Sequence, residues 1–147
     1  MADGRLLIVE DDPDDEALIL RALKSAHVTN PIDIAHDGVE ALAHIFGDAG
    51  PDAPIPPPPV VILLDLKLPK IDGLEVLRRL KSDPRSHHIP VVILTSSDEQ
   101  EDIVRSYRLG VNSYVRKPVD FGRFSTKVAQ LGLYWTLINQ PFAEDRS

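Results

Sequence analysis

Short runs of consecutive Val, Ile and Leu residues constrain this chain more than any other feature. Such runs are typical of strands that are buried on both faces of a parallel sheet. They cover residues 6–9, 60–64 and 91–94, and two weaker candidates cover residues 32–35 and 113–116. Segments with helical spacing follow the successive strands, at residues 14–26, 39–46, 74–81, 99–109 and from 120 to about 138. Since strand and helix alternate five times, the sequence predicts an α/β fold with a doubly wound, five-stranded parallel sheet.

The composition limits the functions that are open to such a sheet. Among the 147 residues, 16 Lys and Arg residues stand against 23 Asp and Glu residues, which gives a formal net charge of −7. This acidic balance argues against nucleic acid or an anionic membrane surface as a direct partner, because both attract positive charge. The sequence has no cysteine, which excludes disulfides, thiolate zinc sites and a cysteine nucleophile.

The length and the N-terminal sequence bear on organisation and location. A chain of 147 residues suits one domain with its own hydrophobic core, so we expect a single domain over residues 1–147 without an output domain. The N-terminus lacks the basic start and the apolar stretch of a signal peptide, and the longest apolar run, residues 60–64, is too short to span a bilayer. We therefore expect a cytoplasmic protein.

Polar residues at the ends of the predicted strands are the candidate functional groups, since ligands of open parallel sheets bind beyond the carboxyl ends of the strands. Glu10 and Asp11 follow the first strand, and Asp65 closes the central apolar run. Thr95 ends the fourth strand, and Lys117 follows the fifth. These five side chains are therefore expected to meet at one edge of the sheet.

Helix capping explains some of the acidic residues near the first strand, but not all of them. Asp12 can cap the first helix, Pro13 suits its first position, and the acidic residues 14–16 lie near the positive end of the helix dipole. Glu10 and Asp11 belong to the strand end, where their negative charges repel each other. Because hard divalent ions prefer carboxylate oxygen, we expect Glu10, Asp11 and Asp65 to hold such an ion.

The residue types at this edge predict phosphoryl transfer. With a divalent ion neutralising its neighbours, Asp65 can attack phosphorus as a nucleophile and form an aspartyl phosphate. The ion and the Lys117 ammonium would stabilise the oxygens of the transferring group. The Thr95 hydroxyl would donate a hydrogen bond to one of those oxygens.

Four segments resemble the motifs of the receiver domain of two-component response regulators, and the similarity covers about residues 5–134. The segments are residues 9–12, 64–73, 94–97 and 114–118. The resemblance implies a flavodoxin-like fold with strand order 2-1-3-4-5, phosphorylation of Asp65 by a histidine kinase, and dependence on Mg²⁺ or Mn²⁺. It implies a phosphoacceptor protein of signal transduction, with intrinsic autophosphorylation and autodephosphorylation chemistry only, and not an enzyme.

The same resemblance implies a role for each matching residue. The implied metal ligands are Glu10, Asp11, Asp65 and the backbone carbonyl of Lys67. The implied phosphoryl-binding and switch residues are Thr95, Lys117 and Tyr114, and the bond before Pro118 is expected to be cis. In the implied switch, Thr95 moves toward the phosphoryl group and Tyr114 turns into the space behind it.

Weaker features resemble the small single-domain regulators that partner bacterial phytochromes. These features are residues 10–15, the long loop before the central strand, residues 112–114 and the aromatic tail at 133–135. They imply that the partner is a light-regulated histidine kinase. The tail carries more apolar residues than one helix face can bury, so we expect a homodimer that uses Tyr134, Trp135 and Leu137.

Three further functions fit a similar sheet. A chemotaxis-type regulator or a phosphorelay intermediate shares the same chemistry and differs only in its partner. An aspartyl-phosphate phosphatase is a more distant alternative, because such enzymes need a second Asp two residues after the nucleophile, where this chain has Lys67.

A proline-rich segment at residues 47–59 precedes the central strand and holds six prolines, four of them consecutive. Consecutive prolines favour a stiff polyproline II rod, which is a docking element for proline-binding modules. The alternative is an extended surface connection that leads into the central strand. We favour the connection, since loops tolerate insertions at small entropic cost.

Overall fold

The computed structural model describes residues 4–48, 50–96, 111, 113–120, 122 and 126. Within these ranges, five strands alternate with three helices that lie in the first part of the chain. The elements are β1 (Leu6–Val9), α1 (Pro13–Ser25), β2 (Ile32–Ala35), α2 (Gly38–Phe46), β3 (Val61–Asp65), α3 (Gly73–Ser82), β4 (Val91–Thr95) and β5 (Ser113–Arg116). The predicted helix at residues 99–109 and most of the one from residue 120 lie outside the described residues. No helix in the described part of the chain is long and apolar enough to cross a membrane.

The five strands form one sheet in the order β2-β1-β3-β4-β5, and every pair is parallel. The predicted fold class and strand order are confirmed. The predicted ends of the central and fourth strands, Asp65 and Thr95, are confirmed, because the ladder continues one residue beyond each apolar run. Asp65 pairs with Leu94 in register, and Thr95 pairs with Arg116. Both polar residues are therefore the last residues of their strands, and β3 begins at Val61, not at residue 60.

The apolar runs are buried on both faces of the sheet, as predicted. Alternate residues of β1 belong to two different core clusters, since successive side chains of a strand point to opposite faces. The cluster with Leu6 and Ile8 contains residues of α1, and the cluster with Leu7 and Val9 contains residues of α2 and α3. β1 is thus covered on both faces, and its carboxyl end is held rigidly where the candidate site begins.

Each described helix begins at an Asp that caps it. Asp12 caps α1 and accepts hydrogen bonds from the backbone N–H groups of Asp14 and Asp15, with Pro13 as the first helical residue. Asp37 and Asp72 cap α2 and α3 in the same way. The predicted cap at Asp12 is confirmed, and α1 starts and ends one residue earlier than the predicted range of 14–26.

The proline-rich segment runs over the surface, and Arg85 anchors its first part. The Arg85 guanidinium donates hydrogen bonds to the carbonyl oxygens of Gly50 (2.9 Å) and Ala53 (2.8 Å). It also pairs with the Asp83 carboxylate at 2.7 Å and lies 5.3 Å above the Phe46 ring. The hydrogen bonds from Arg85 lower the pKa of Asp83 to about 2. These contacts support the prediction of a surface connection.

Two glycines let the loop after Asp65 lie against its neighbours. A Cβ on Gly38 would lie 1.9 Å from the carbonyl oxygen of Ile71, and a Cβ on Gly73 would lie 2.1 Å from the carbonyl oxygen of Asp65. Both contacts involve backbone atoms, which cannot move aside as a flexible side chain can. Any side chain at either position would therefore displace the loop that follows Asp65.

We predict that Gly38→Ala and Gly73→Ala each lower the free energy of unfolding by about 1–3 kcal/mol, because each forces a backbone overlap. Urea denaturation measures this loss. Gly50→Ala is the matched control, since a Cβ there meets no atom within 4 Å. Equal stability of all three variants would contradict the prediction.

Candidate functional site

Three carboxylates meet at the carboxyl end of the sheet, as predicted. Glu10 follows β1 directly and Asp65 ends β3, and these strands are paired neighbours. Glu10 is fully buried, Asp65 is 5% exposed and Asp11 is exposed. One carboxylate oxygen from each of the three lies within 4.8 Å of the others. This set of converging oxygens fits a hard divalent cation such as Mg²⁺.

Two residues beside this cluster have different roles: Asp12 caps α1, and Lys67 lies in the loop after β3. Asp12 is not part of the oxygen cluster, because its Oδ1 accepts the Asp14 N–H at 2.8 Å as the cap of α1. The backbone N–H of Lys67 donates to Asp65 Oδ1 at 3.2 Å, and the Lys67 residue is exposed. The main chain of Lys67 therefore lies beside the cluster. Metal binding by its carbonyl stays a prediction.

Lys117 places an ammonium inside the acidic cluster. Its Nζ lies 2.8 Å from Glu10 Oε1, 3.0 Å from Asp15 Oδ2 and 3.1 Å from Asp65 Oδ2. The backbone N–H of Lys117 donates to the Thr95 carbonyl at 2.6 Å, which extends the pairing of β4 and β5 to this residue. The Lys117–Pro118 bond is cis, as predicted.

Burial and charge shift the pKa values of the two most enclosed groups. Burial raises the pKa of Glu10 to about 7, and the charge of Asp65 adds to that rise, while Lys117 opposes it. Burial also acts to lower the pKa of Lys117, but its contacts with Glu10, Asp65 and Asp15 outweigh burial and raise that pKa. Lys117 therefore stays charged, and three carboxylates surround its ammonium. A divalent cation would relieve the remaining repulsion.

Thr95 is fully buried at the end of β4, and its hydroxyl oxygen has no hydrogen-bond partner among the described residues. An unsatisfied buried hydroxyl costs about 1–3 kcal/mol, so its presence at this edge calls for an explanation. A ligand oxygen that arrives at the site would give it a partner. Thr95, which is predicted to contact a phosphoryl group, thus has a hydroxyl that can donate a hydrogen bond to it without losing a partner among the described residues.

Tyr114 lies on β5, half-buried and packed against the core cluster that contains Val9. It stands three residues before Lys117, which directly follows β5. This position agrees with the predicted switch role, which stays a prediction. The tail residues Tyr134, Trp135 and Leu137 lie outside the described residues.

Sequence reasoning missed Asp15. The acidic first turn of α1 was explained by the helix dipole, which applies equally to Asp14, Asp15 and Glu16. The contact between Asp15 and Lys117 joins residues 102 positions apart. No local sequence pattern predicts this contact, although the first turn of a helix that directly follows a strand of the site lies close to the site.

Comparison with known proteins agrees with this geometry. The family model for the response regulator receiver domain matches residues 6–129. The response regulator Rcp1 of Synechocystis is 37% identical over 130 residues, which cover 88% of this chain and 87% of that protein.

Solved structures give the same picture. The bacteriophytochrome response regulator RtBRR superposes with a TM-score of 0.82 at 46% identity, covering 93% of this chain and 82% of that one. The phosphorylated cyanobacterial phytochrome response regulator RcpA has a TM-score of 0.69 at 38% identity, covering 91% of this chain and 94% of that one. A structure of Rcp1 has been solved in an Mn²⁺-bound form, and it covers 90% of this chain and 94% of that one at 36% identity with a TM-score of 0.68.

We predict that Mg²⁺ raises the thermal unfolding temperature of the protein, because a ligand of the folded state stabilises it by mass action. Asp11→Asn should weaken this response by about tenfold or more in Mg²⁺ concentration, since one of three ligand carboxylates loses its charge. Asp11 is exposed, so the fold should tolerate the change. Asp14→Asn removes an equal charge three residues further along the chain, in the first turn of α1, and should respond as the wild type does. If Asp11→Asn reaches half of its stabilisation at the same Mg²⁺ concentration as the wild type, the proposed ligand set is contradicted.

Proposed function

The chain belongs to the response regulator receiver domain family, and we propose that Asp65 is the residue that accepts the phosphoryl group. Receivers act as phosphoacceptors in two-component signalling, and the resemblance to phytochrome response regulators extends over nearly the whole chain. The observation that carries the assignment to Asp65 is its position. Its carboxylate lies 3.1 Å from the Lys117 ammonium, and one of its oxygens lies within 4.8 Å of carboxylate oxygens of Glu10 and Asp11.

The proposed reaction is a transfer from a phosphohistidine of the kinase. A carboxylate oxygen of Asp65 attacks phosphorus, the P–N bond breaks, and its electron pair leaves with the histidine nitrogen. Lys117 donates a hydrogen bond to a phosphoryl oxygen and offsets the growing negative charge. Thr95, whose hydroxyl is otherwise unpartnered among the described residues, donates to another. Small phosphodonors would react by the same path, which gives autophosphorylation, and attack by water would give autodephosphorylation.

The metal belongs to this proposal. We assign Glu10, Asp11 and Asp65 as side-chain ligands of Mg²⁺ or Mn²⁺, with the carbonyl of Lys67 as a further ligand. The ion, when bound, supplies positive charge that makes phosphoryl transfer onto a carboxylate feasible. The converging oxygens support the assignment, as does the Mn²⁺-bound form of Rcp1.

A histidine kinase is the partner that membership of this family implies, and we propose that this kinase is a bacterial phytochrome. RtBRR is a bacteriophytochrome response regulator and RcpA is a cyanobacterial phytochrome response regulator, which supports this partner. We further propose that the chain works in the cytoplasm as a single receiver, and that Tyr114 changes its packing when Asp65 is phosphorylated. The altered surface would be read by another protein.

Incubation with acetyl phosphate and Mg²⁺ should add about 80 Da to the wild-type protein, the mass of one phosphoryl group. Asp65→Asn should gain nothing, because the amide is a poor nucleophile. Intact-mass spectrometry measures both results. A wild-type protein that stays unmodified, or a variant that is modified equally, would overturn the proposal.

Thr95→Val serves as the matched variant for the same assay. Valine is close to threonine in shape and removes the buried, unsatisfied hydroxyl, so the fold should be as stable as that of the wild type or more stable. Phosphorylation should nevertheless slow by about tenfold or more, since one donor to the phosphoryl oxygens is lost. An unaltered rate would remove Thr95 from the proposed mechanism.

We also propose a homodimer. Its interface would use the surface near the two helices predicted at residues 99–109 and from residue 120, together with the tail residues Tyr134, Trp135 and Leu137. The support comes from the sequence alone, since these residues lie outside the described ranges. Light scattering should give twice the chain mass, and Trp135→Ala should shift the equilibrium toward the monomer. A monomeric mass for both the free and the phosphorylated protein would exclude the dimer.

A further inference from the structure

We propose that Asp15 is a positioning residue that holds the Lys117 ammonium toward α1 and competes for it with the phosphoryl group on Asp65. The inference rests on the proposed function in its second half only. Its first half, the anchoring of Lys117, concerns the unmodified protein and can be tested without any phosphodonor.

The contact is short and partly enclosed. Lys117 Nζ lies 3.0 Å from Asp15 Oδ2, and the side chains are 15% and 26% exposed. Asp15 is the third residue of α1, so the contact ties the first turn of that helix to the end of β5. A pair that is mostly shielded from water is weakened less by salt than a pair on the open surface.

Helix capping does not account for this placement of Asp15. Asp12 already caps α1, so the cap does not need the Asp15 carboxylate. Asp14 stands next to it in the same turn and is exposed, and Glu16 pairs instead with His36 at 2.9 Å. Of the three acidic residues in this turn, only Asp15 is seen to reach the site among the described residues.

The competition follows from the donor count of a lysine. An ammonium has three N–H donors, and Lys117 has three carboxylate neighbours at 2.8, 3.0 and 3.1 Å. A phosphoryl group on Asp65 brings further strong acceptor oxygens and about −1.5 to −2 charges to the same place. Phosphorylation converts the Asp65 carboxylate into an acyl phosphate, so the phosphoryl oxygens take its place beside Lys117. Lys117 can serve more than one of these oxygens only by releasing Glu10 or Asp15 as well. Glu10 belongs to the metal cluster, whereas Asp15 does not, so Asp15 is the partner to be released.

Beryllofluoride is a suitable probe, because it mimics the phosphoryl group on a carboxylate and binds reversibly. With saturating Mg²⁺, Asp15→Asn should bind it about fivefold more tightly than the wild type, as expected from the loss of one partly screened competing charge. Asp14→Asn removes the same charge from the same turn and should stay within about twofold of the wild type. An equal gain in both variants would show a general charge effect and overturn the proposal.

A double-mutant cycle tests whether Asp15 acts through Lys117. In a Lys117→Ala background, Asp15→Asn should no longer tighten beryllofluoride binding, because there is no ammonium left to compete for. A gain of the same size in that background would overturn the positioning role. Mg²⁺ affinity is measured alongside for every variant, so that a change in metal binding is not mistaken for a change in the probe.

Zero-length crosslinking with a carbodiimide tests the anchor directly. The reagent converts the Asp15 carboxylate into an O-acylisourea, which removes its negative charge. The Lys117 ammonium then gives a proton to solvent, its amine attacks the acyl carbon, and an amide forms as the carbodiimide leaves as a urea. Peptide mapping should find the Asp15–Lys117 crosslink in the unmodified protein, and beryllofluoride with Mg²⁺ should reduce its yield several-fold. Absence of the crosslink in the unmodified protein, or a yield that the probe leaves unchanged, would overturn the proposal.

These measurements distinguish a failure of the proposed function from a failure of the proposed role of Asp15. If acetyl phosphate adds no mass to the wild type while the crosslink forms, the proposed function fails and the anchoring of Lys117 stands. If the wild type is phosphorylated but Asp15→Asn and Asp14→Asn behave alike, the proposed function stands and the role of Asp15 fails.

Discussion

The Lys117 ammonium lies within 3.1 Å of three carboxylates, and the arrangement of the whole edge of the sheet depends on that contact. Glu10 and Asp65 are buried beside each other, and a buried carboxylate without a cation is costly. The backbone hydrogen bond from Lys117 to Thr95 brings the lysine to this point through the register of β4 and β5. The register of β4 and β5 thus places the ammonium that balances the charge of the buried carboxylates.

The two glycines perform the corresponding task for the backbone. The loop after Asp65 must fold back so that Lys67 lies against the Asp65 carboxylate, and the start of α3 must lie directly against the end of β3. Gly73 permits that close approach, and Gly38 permits the loop to rest on the start of α2. The site therefore depends on residues that have no side-chain chemistry of their own.

Most of the fold was predictable because its signals are local. Runs of Val, Ile and Leu predicted the strands, and Asp12 with Pro13 predicted the start of α1. The strand ends at Asp65 and Thr95 were also predictable, since each polar residue directly follows an apolar run and the hydrogen-bonded ladder extends to both. The site residues Glu10, Asp11, Asp65 and Lys117 were predictable because parallel strands bring their carboxyl ends to one edge. Asp15 was not, because its partner is 102 residues away and its own neighbourhood has a sufficient explanation in the helix dipole.

The contacts of Arg85 with the proline-rich segment bear on which part of the chain can change in length. Arg85 holds the carbonyl groups of Gly50 and Ala53 and lies over the ring of Phe46, so the first part of the proline-rich connection is fixed near the end of α2. The other end is fixed beside β3, where the Val60 N–H donates to the Arg5 carbonyl at 2.8 Å. An insertion or deletion in residues 54–59 would therefore change a surface segment between two anchored points, which makes this segment the part of the molecule best able to vary in length.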